Sequence, residues 1–231
     1  MTTVATPARL DWLSDALVGL SPGQRVYATG VPWAVYLHLA ELRDARRSGV
    51  KITFDRGRIE LMSPKIQHEQ PHFRLGLVVM TLAEELDVEL RNAGATTLRR
   101  EAGEQGLEAD DSFYIAHVRD VLGVRDIDLT VHPPPDLVIE IDLTSSSVAK
   151  EAIYGPMGVP ELWRMDDGQV AIRHLQAGGT YRPESRSLAF PQVTADELTR
   201  LLSETEDEGE LAFVRRCRAW AKALTPPAPN P

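Results

Sequence analysis

The stretch "PPPDLVIEIDLTSSSVAKEAIY", residues 133–154, decides how this chain is read. After three prolines, "DLVIEIDL" alternates with period two, the spacing of a β-strand. Leu137, Ile139, Ile141 and Leu143 fall on one face and predict an unbroken core stripe. Asp136, Val138, Glu140 and Asp142 fall on the other. Three acids in one column repel one another. An open, solvated strand face would tolerate that repulsion, and a bound cation would remove it. "VAKEAIYGPM" then predicts a short helix ended by Gly155-Pro156, with Lys150 on its first turns.

The stretch upstream carries a second acid pair. "GLEADDSFYI", residues 106–115, sets Asp110 and Asp111 at the entrance of a short apolar strand. If the two strands pair, carboxylates from both converge. Hard oxygen ligands favour Mg²⁺, Mn²⁺ or Ca²⁺ over zinc. A lysine aimed at such a site orients a water or stabilises charge on a phosphorane. Otherwise Lys150 is an ordinary surface lysine.

The remaining elements surround this pair. Pro32 and Gly49 bound a helix. "KITFDRGRIELMS" predicts two strands around an Asp55-Arg56-Gly57 turn. Pro71 to about Asn92 reads as a long helix with Leu75, Val78, Val79, Leu82, Leu86 and Leu90 on one stripe. "ELWRMDDGQVAIRHL" predicts a hairpin across Asp167-Gly168, and Thr194 to Glu197 spells a helix-opening capping box. Helices before and after a cluster of short strands predict an α/β or α+β fold with a mixed central sheet. No internal repeat is visible. Residues 1–9 read as a disordered N-terminus, 10–224 as one domain and 225–231 as a proline-rich tail.

Composition narrows the function classes. The chain has 231 residues, 43% of them apolar, enough for a sizeable core. Its formal charge of −9 argues against a nonspecific nucleic-acid coat protein, which would be basic. It leaves room for a nuclease, because bound cations reverse the local sign. Hydrophobic runs are too short to span a membrane, the N-terminus is unlike a signal peptide, and Cys217 is the single cysteine. These features predict a cytoplasmic protein. The last helix carries Arg215, Arg216, Arg218 and Lys222, which reads either as a backbone-tracking stripe or as a solvated helix face.

One motif points elsewhere. His68-Glu69-Gln70-Pro71-His72 matches H-E-x-x-H, in which two histidines one helical turn apart hold zinc. Proline is suited to a first helical position and unsuited to an interior one. The helix is therefore expected to begin at Pro71, with His68 in the preceding loop, and the zinc-protease reading falls away. Glu85 or Glu89 would have been the third ligand.

Taken in order, "GRIELMSP…H", "GLEADDSFYI", "PPPDLVIEIDLTSSS", "Y…GVPELWR" and "SLAFP…T" resemble the Uma-two family of endonucleases, over about residues 30–203. The resemblance implies the restriction-endonuclease-like fold of the PD-(D/E)xK superfamily, a mixed central sheet flanked by helices, often as a homodimer. It implies that Asp110 and Glu140 hold a Mg²⁺ or Mn²⁺ ion with help from Glu60. His68 matches a following family histidine, and Lys150 matches a catalytic lysine moved from the strand to the next helix. Asp136, Asp142 and Asp111 are further candidates. Ala109 stands where the family has proline, and Asp142 occupies the superfamily's lysine position. The expected function is metal-dependent phosphodiester hydrolysis on nucleic acid, DNA before RNA, with no membrane partner. The alternative is a catalytically silent module that binds nucleic acid or protein.

Overall fold

A computed structural model describes residues 11–64, 66–142, 148–205 and 207–224, with backbone alone for 66–70. The expectations for residues 1–9, Leu143 and 225–231 lie outside these residues. The structure is mixed α/β, as expected, with the strands divided between two sheets. The first sheet has the order β1 (Arg25–Thr29), β3 (Arg58–Met62), β2 (Lys51–Asp55), β6 (Gln105–Glu108), β5 (Thr97–Arg100), and every pair is antiparallel. The second has the order β11 (Tyr181–Glu184), β10 (Gln169–Leu175), β9 (Glu161–Asp166), β8 (Leu137–Asp142), β7 (Asp111–Tyr114), β4 (Arg91–Asn92). Its one parallel pair is β8 with β9, joined by a crossover through helix α5 (Glu151–Met157). The chain passes from one sheet to the other between Glu108 and Asp111, at Ala109 and Asp110.

Helices cover both sheets. Helices α1 (Asp11–Gly19) and α2 (Trp33–Arg46) pack Leu13, Leu17, Tyr36 and Leu39 against Ile52, Phe54, Ile59 and Leu61 of the first sheet. Helix α3 (Ile66–Leu86) packs Leu75, Val78, Val79 and Leu82 on Leu137, Ile139 and Ile141. Helices α6 (Ala195–Glu204) and α7 (Glu210–Leu224) complete that layer. Each fully buried aliphatic side chain here is worth about 1.5–3 kcal/mol of transfer free energy. A short helix, α4 (Val118–Val121), follows β7.

The opposite face of β8 is also buried, and this removes the solvated-face reading of the two that the sequence left open. Val138 is fully buried with Ile153, Tyr154, Leu162 and Ala109, and Glu140 is 1% exposed. The acid column therefore does not look onto solvent. It lies beneath α5, which the β8–β9 crossover lays over the strand.

Three helix boundaries correct the sequence reading. Helix α3 starts at Ile66 and runs through Pro71. The proline forgoes one bond, to the carbonyl of Gln67, close enough to the helix start for the first turn to absorb the ring. The same helix stops at Leu86 rather than near Asn92, because Asp87 turns left-handed (φ 54°) and the Val88 amide bonds back to Ala83 O at 2.9 Å. Helix α5 runs past Gly155-Pro156 to Met157, and Gly158 closes it with φ 82°. The Thr194–Glu197 capping box and the Asp167-Gly168 hairpin turn stand as expected. No described helix is long and apolar enough to cross a membrane.

Candidate active site

The antiparallel ladder ends with Asp111 paired to Ile139, and just beyond it Asp110 comes beside Glu140, whose carboxyl feels its charge. Asp110 sits at the hinge between the sheets, and its side chain is 10% exposed. Its Oδ2 accepts the Ile141 amide at 2.6 Å, and its Oδ1 accepts the ammonium of Lys51 from β2. Glu140 is bonded on both oxygens: Lys150 Nζ donates to Oε2 and the Tyr154 hydroxyl to Oε1. Lys150 is the residue that enters α5, so the crossover brings its side chain back over the end of β8.

Electrostatics separate the two carboxyls. Burial pushes the Asp110 carboxyl up, but Lys150 and Lys51 outweigh it and hold it at about 2. Burial, opposed by Lys150 and reinforced by the charge on Asp110, pushes Glu140 up to about 7. Lys150 is held protonated, its desolvation outweighed by Glu140 and Asp110. Burial and the charge on Glu140 push the Tyr154 hydroxyl well above its ordinary value, which keeps it a donor. The like-charge conflict between two opposed carboxylates is the condition a divalent cation relieves, and hard carboxylate oxygens are the donors that Mg²⁺ or Mn²⁺ prefers.

The other candidates divide into neighbours and outliers. Glu60 lines the same narrow cleft as Lys51, Glu108, Asp142 and Lys150, and is ion-paired to Arg25 at 3.0 Å. Asp142 receives Arg164 Nε at 2.9 Å and Nη2 at 2.5 Å, so an arginine from β9 neutralises the superfamily's lysine position. Asp111 accepts the Ser112 amide at 2.9 Å and Asn92 Nδ2 at 3.3 Å, away from Asp110's partners. It also abuts Gly76 of α3, where an added Cβ would come within 2.8 Å of Oδ2. Asp136, at the far end of β8, binds the Ile115 and His117 amides at 2.7 and 3.0 Å and His117 Nδ1 at 2.6 Å. It organises the turn after β7 rather than the cleft. Among the described residues, no three His, Cys, Asp or Glu side chains converge as a metal cage. A cation here would rest on two carboxylates, with water filling its remaining positions, as Mg²⁺ commonly does.

The histidine motif also reads differently in three dimensions. Because α3 is continuous through Pro71, His68 and His72 stand one turn apart on its backbone; the His68 side chain is outside the described residues. The imagined third ligands are unsuitable. Glu85 is paired with Arg218 at 2.9 Å and Lys222 at 3.8 Å, and Glu89 lies beyond the helix end. The same pairs, with Arg216 on Glu208 and Arg218 on Glu84 at 2.7 Å, show most of the α7 basic stripe engaged by neighbouring acids.

Sequence reasoning did not single out Lys51 or Tyr154 as site residues. Nothing around Lys51 in "KITFD" marks it, because its contact is set by sheet register 59 positions away. Tyr154 had a usable signal: it lies one helical turn after Lys150, so the two side chains share a face.

These features define the class: a mixed α/β protein with two neighbouring buried carboxyls, Asp110 and Glu140, each paired with a lysine. The model of the Uma2 family, described as "putative restriction endonuclease", matches residues 33–206, and the chain belongs to that family. Among solved structures it is similar to "a putative nuclease belonging to DUF820" from Anabaena variabilis. The two are 17% identical, the match covers 64% of this chain and 89% of that one, and the TM-score is 0.46. No curated protein matches the sequence significantly.

Proposed function

We propose that this protein is a Mg²⁺- or Mn²⁺-dependent endonuclease that hydrolyses phosphodiester bonds of nucleic acid, DNA in the first instance. The observation that carries this reading is the approach of Asp110, just before β7, to Glu140 of β8: Asp110 accepts the amide of the next residue, Ile141, and its charge acts on Glu140, to which Lys150 is bonded. Asp110, ionised at neutral pH, and Glu140 would hold the cation; Glu60 lines a cleft with their lysine partners, Lys51 and Lys150. A bound divalent ion supplies a water of lowered pKa and offsets charge on the phosphate. Lys150 carries the positive charge that the strand lacks, since Asp142 occupies the usual lysine slot and is itself tied to Arg164. In this reading its ammonium would orient the attacking water or meet the developing phosphorane charge. Tyr154, from α5, holds Glu140 in place through its hydroxyl. The test is nicking of supercoiled plasmid with Mn²⁺ by the wild type, Asp110→Asn and Glu140→Gln. Loss in both variants supports the reading; equal nicking by all three removes it.

One observation favours a second reading, a binding module that does not cut. Each carboxylate in or beside the cleft already has an internal cation: Arg25 for Glu60, Arg43 for Glu108, Lys51 for Asp110, Lys150 for Glu140 and Arg164 for Asp142. Nucleic-acid retention without nicking, with metal bound, would select it.

A further inference from the structure

Lys51 enters the cleft from a strand with no part in the expected catalytic pattern. We propose that Lys51 is a built-in counterion of the metal site: it holds Asp110 in the metal-free protein, and a divalent cation must displace it to bind. The inference rests on the metal-dependent reading of the site and adds to it a control on metal loading.

The two oxygens of Asp110 are held in different ways. Oδ2 accepts the amide of Ile141 at 2.6 Å. That donor belongs to the backbone of β8, which is fixed by its neighbours on both sides. Oδ1 accepts the Lys51 ammonium, which also lies 3.4 Å from the carbonyl of Ala109. This partner stands on a flexible four-carbon stem and can move. An incoming cation has the same sign as the ammonium and needs the same oxygen, so the two exclude each other. The geometry also allows exchange. The Lys51 side chain is 18% exposed and lines the cleft beside Glu60, Asp142 and Lys150, so a released ammonium need not become buried without a partner. Arg25 and Arg164 hold Glu60 and Asp142 from adjacent strands and do not touch Asp110 in this way.

A lysine that only supported the fold would weaken metal binding when lost, by loosening Asp110. A lysine that competes with the metal would strengthen it, and the two roles therefore predict opposite signs. The experiment is calorimetric titration of chelator-treated protein with Mn²⁺, using the wild type, Lys51→Met, Lys51→Gln and Asp110→Asn, each checked for folding by circular dichroism. The expected result is Mn²⁺ affinity about 10-fold tighter in Lys51→Met, the scale of one charge contact removed. Lys51→Gln should shift the same way and keeps a polar end should the apolar variant fail to fold. Asp110→Asn should lose binding. Folded Lys51 variants that bind Mn²⁺ no more tightly than the wild type would overturn the counterion role while leaving the metal site standing. No binding by the wild type or by either lysine variant would overturn the metal-dependent reading and this inference together.

Discussion

Lys150 and Glu140 meet as ammonium and carboxylate because the β8–β9 crossover lays the start of α5 over the end of β8. The pair is nearly enclosed: Glu140 is 1% exposed and the Lys150 side chain 16%. Removing the lysine leaves the buried Glu140 carboxyl without its counterion, so that it must take up a proton or bear an uncompensated charge. Lys150→Met is therefore expected to lower the melting temperature of metal-free protein, with part of the loss recovered in Mn²⁺. It should also reduce plasmid nicking on the order of 100-fold, the scale of one lost electrostatic contact to a transition state. Unchanged melting and nicking would make Lys150 an ordinary surface lysine.

Asp110 should contribute an acid limb to stability. Its carboxyl is held at about 2, below the ordinary 3.8, chiefly by Lys150 and Lys51 against the cost of burial. The unfolded chain thus takes up this proton before the native state does. The contribution is complete above pH 4 and is lost as pH falls through about 2, an effect of about 2 kcal/mol. Urea unfolding in chelator at pH 5 and pH 2.5 should show a smaller loss for Asp110→Asn than for the wild type. Equal losses would mean that Asp110 is not held ionised by its lysines.

Glu161 is a buried acid with a structural task. It is fully buried and accepts Trp163 Nε1 at 2.8 Å and the Leu188 and Ala189 amides at 3.0 and 2.9 Å. Glu161→Ala strands these donors and should cost about 3 kcal/mol in urea unfolding, while Glu161→Gln, which keeps an acceptor oxygen, should cost less. Nicking per folded molecule should be unchanged in Glu161→Gln.

Cys217 packs inside α7 against the α3 layer, and burial pushes its thiol up to about 12. A chromogenic disulfide reagent at pH 8 should leave the native protein unmodified and should modify one thiol per chain in denaturant. Rapid labelling of native protein would contradict this packing.

Much of the fold was legible because its signals are local. Period-two alternation marked β8, Asp167-Gly168 marked a hairpin, and Thr194 with Glu197 marked the start of α6, each within a few residues. The same locality misled at Pro71, where a general rule about proline met a helix that begins five residues earlier. It also left the acid face of β8 undecided, since alternation cannot tell a solvated face from one covered by the next helix.

Of the candidate site, the sequence by itself supplied the proposal: strand pattern brought forward the acids around Asp110 and Glu140, and the family resemblance singled out those two with Lys150. Only the tertiary structure decided their partners. Lys51 reaches Asp110 across 59 positions, Arg164 takes Asp142 from the neighbouring strand, and Tyr154 closes on Glu140 from α5. Those contacts depend on sheet register and on the path of a crossover. Both are set by burying the two faces of β8 together, and no short window of sequence carries that balance.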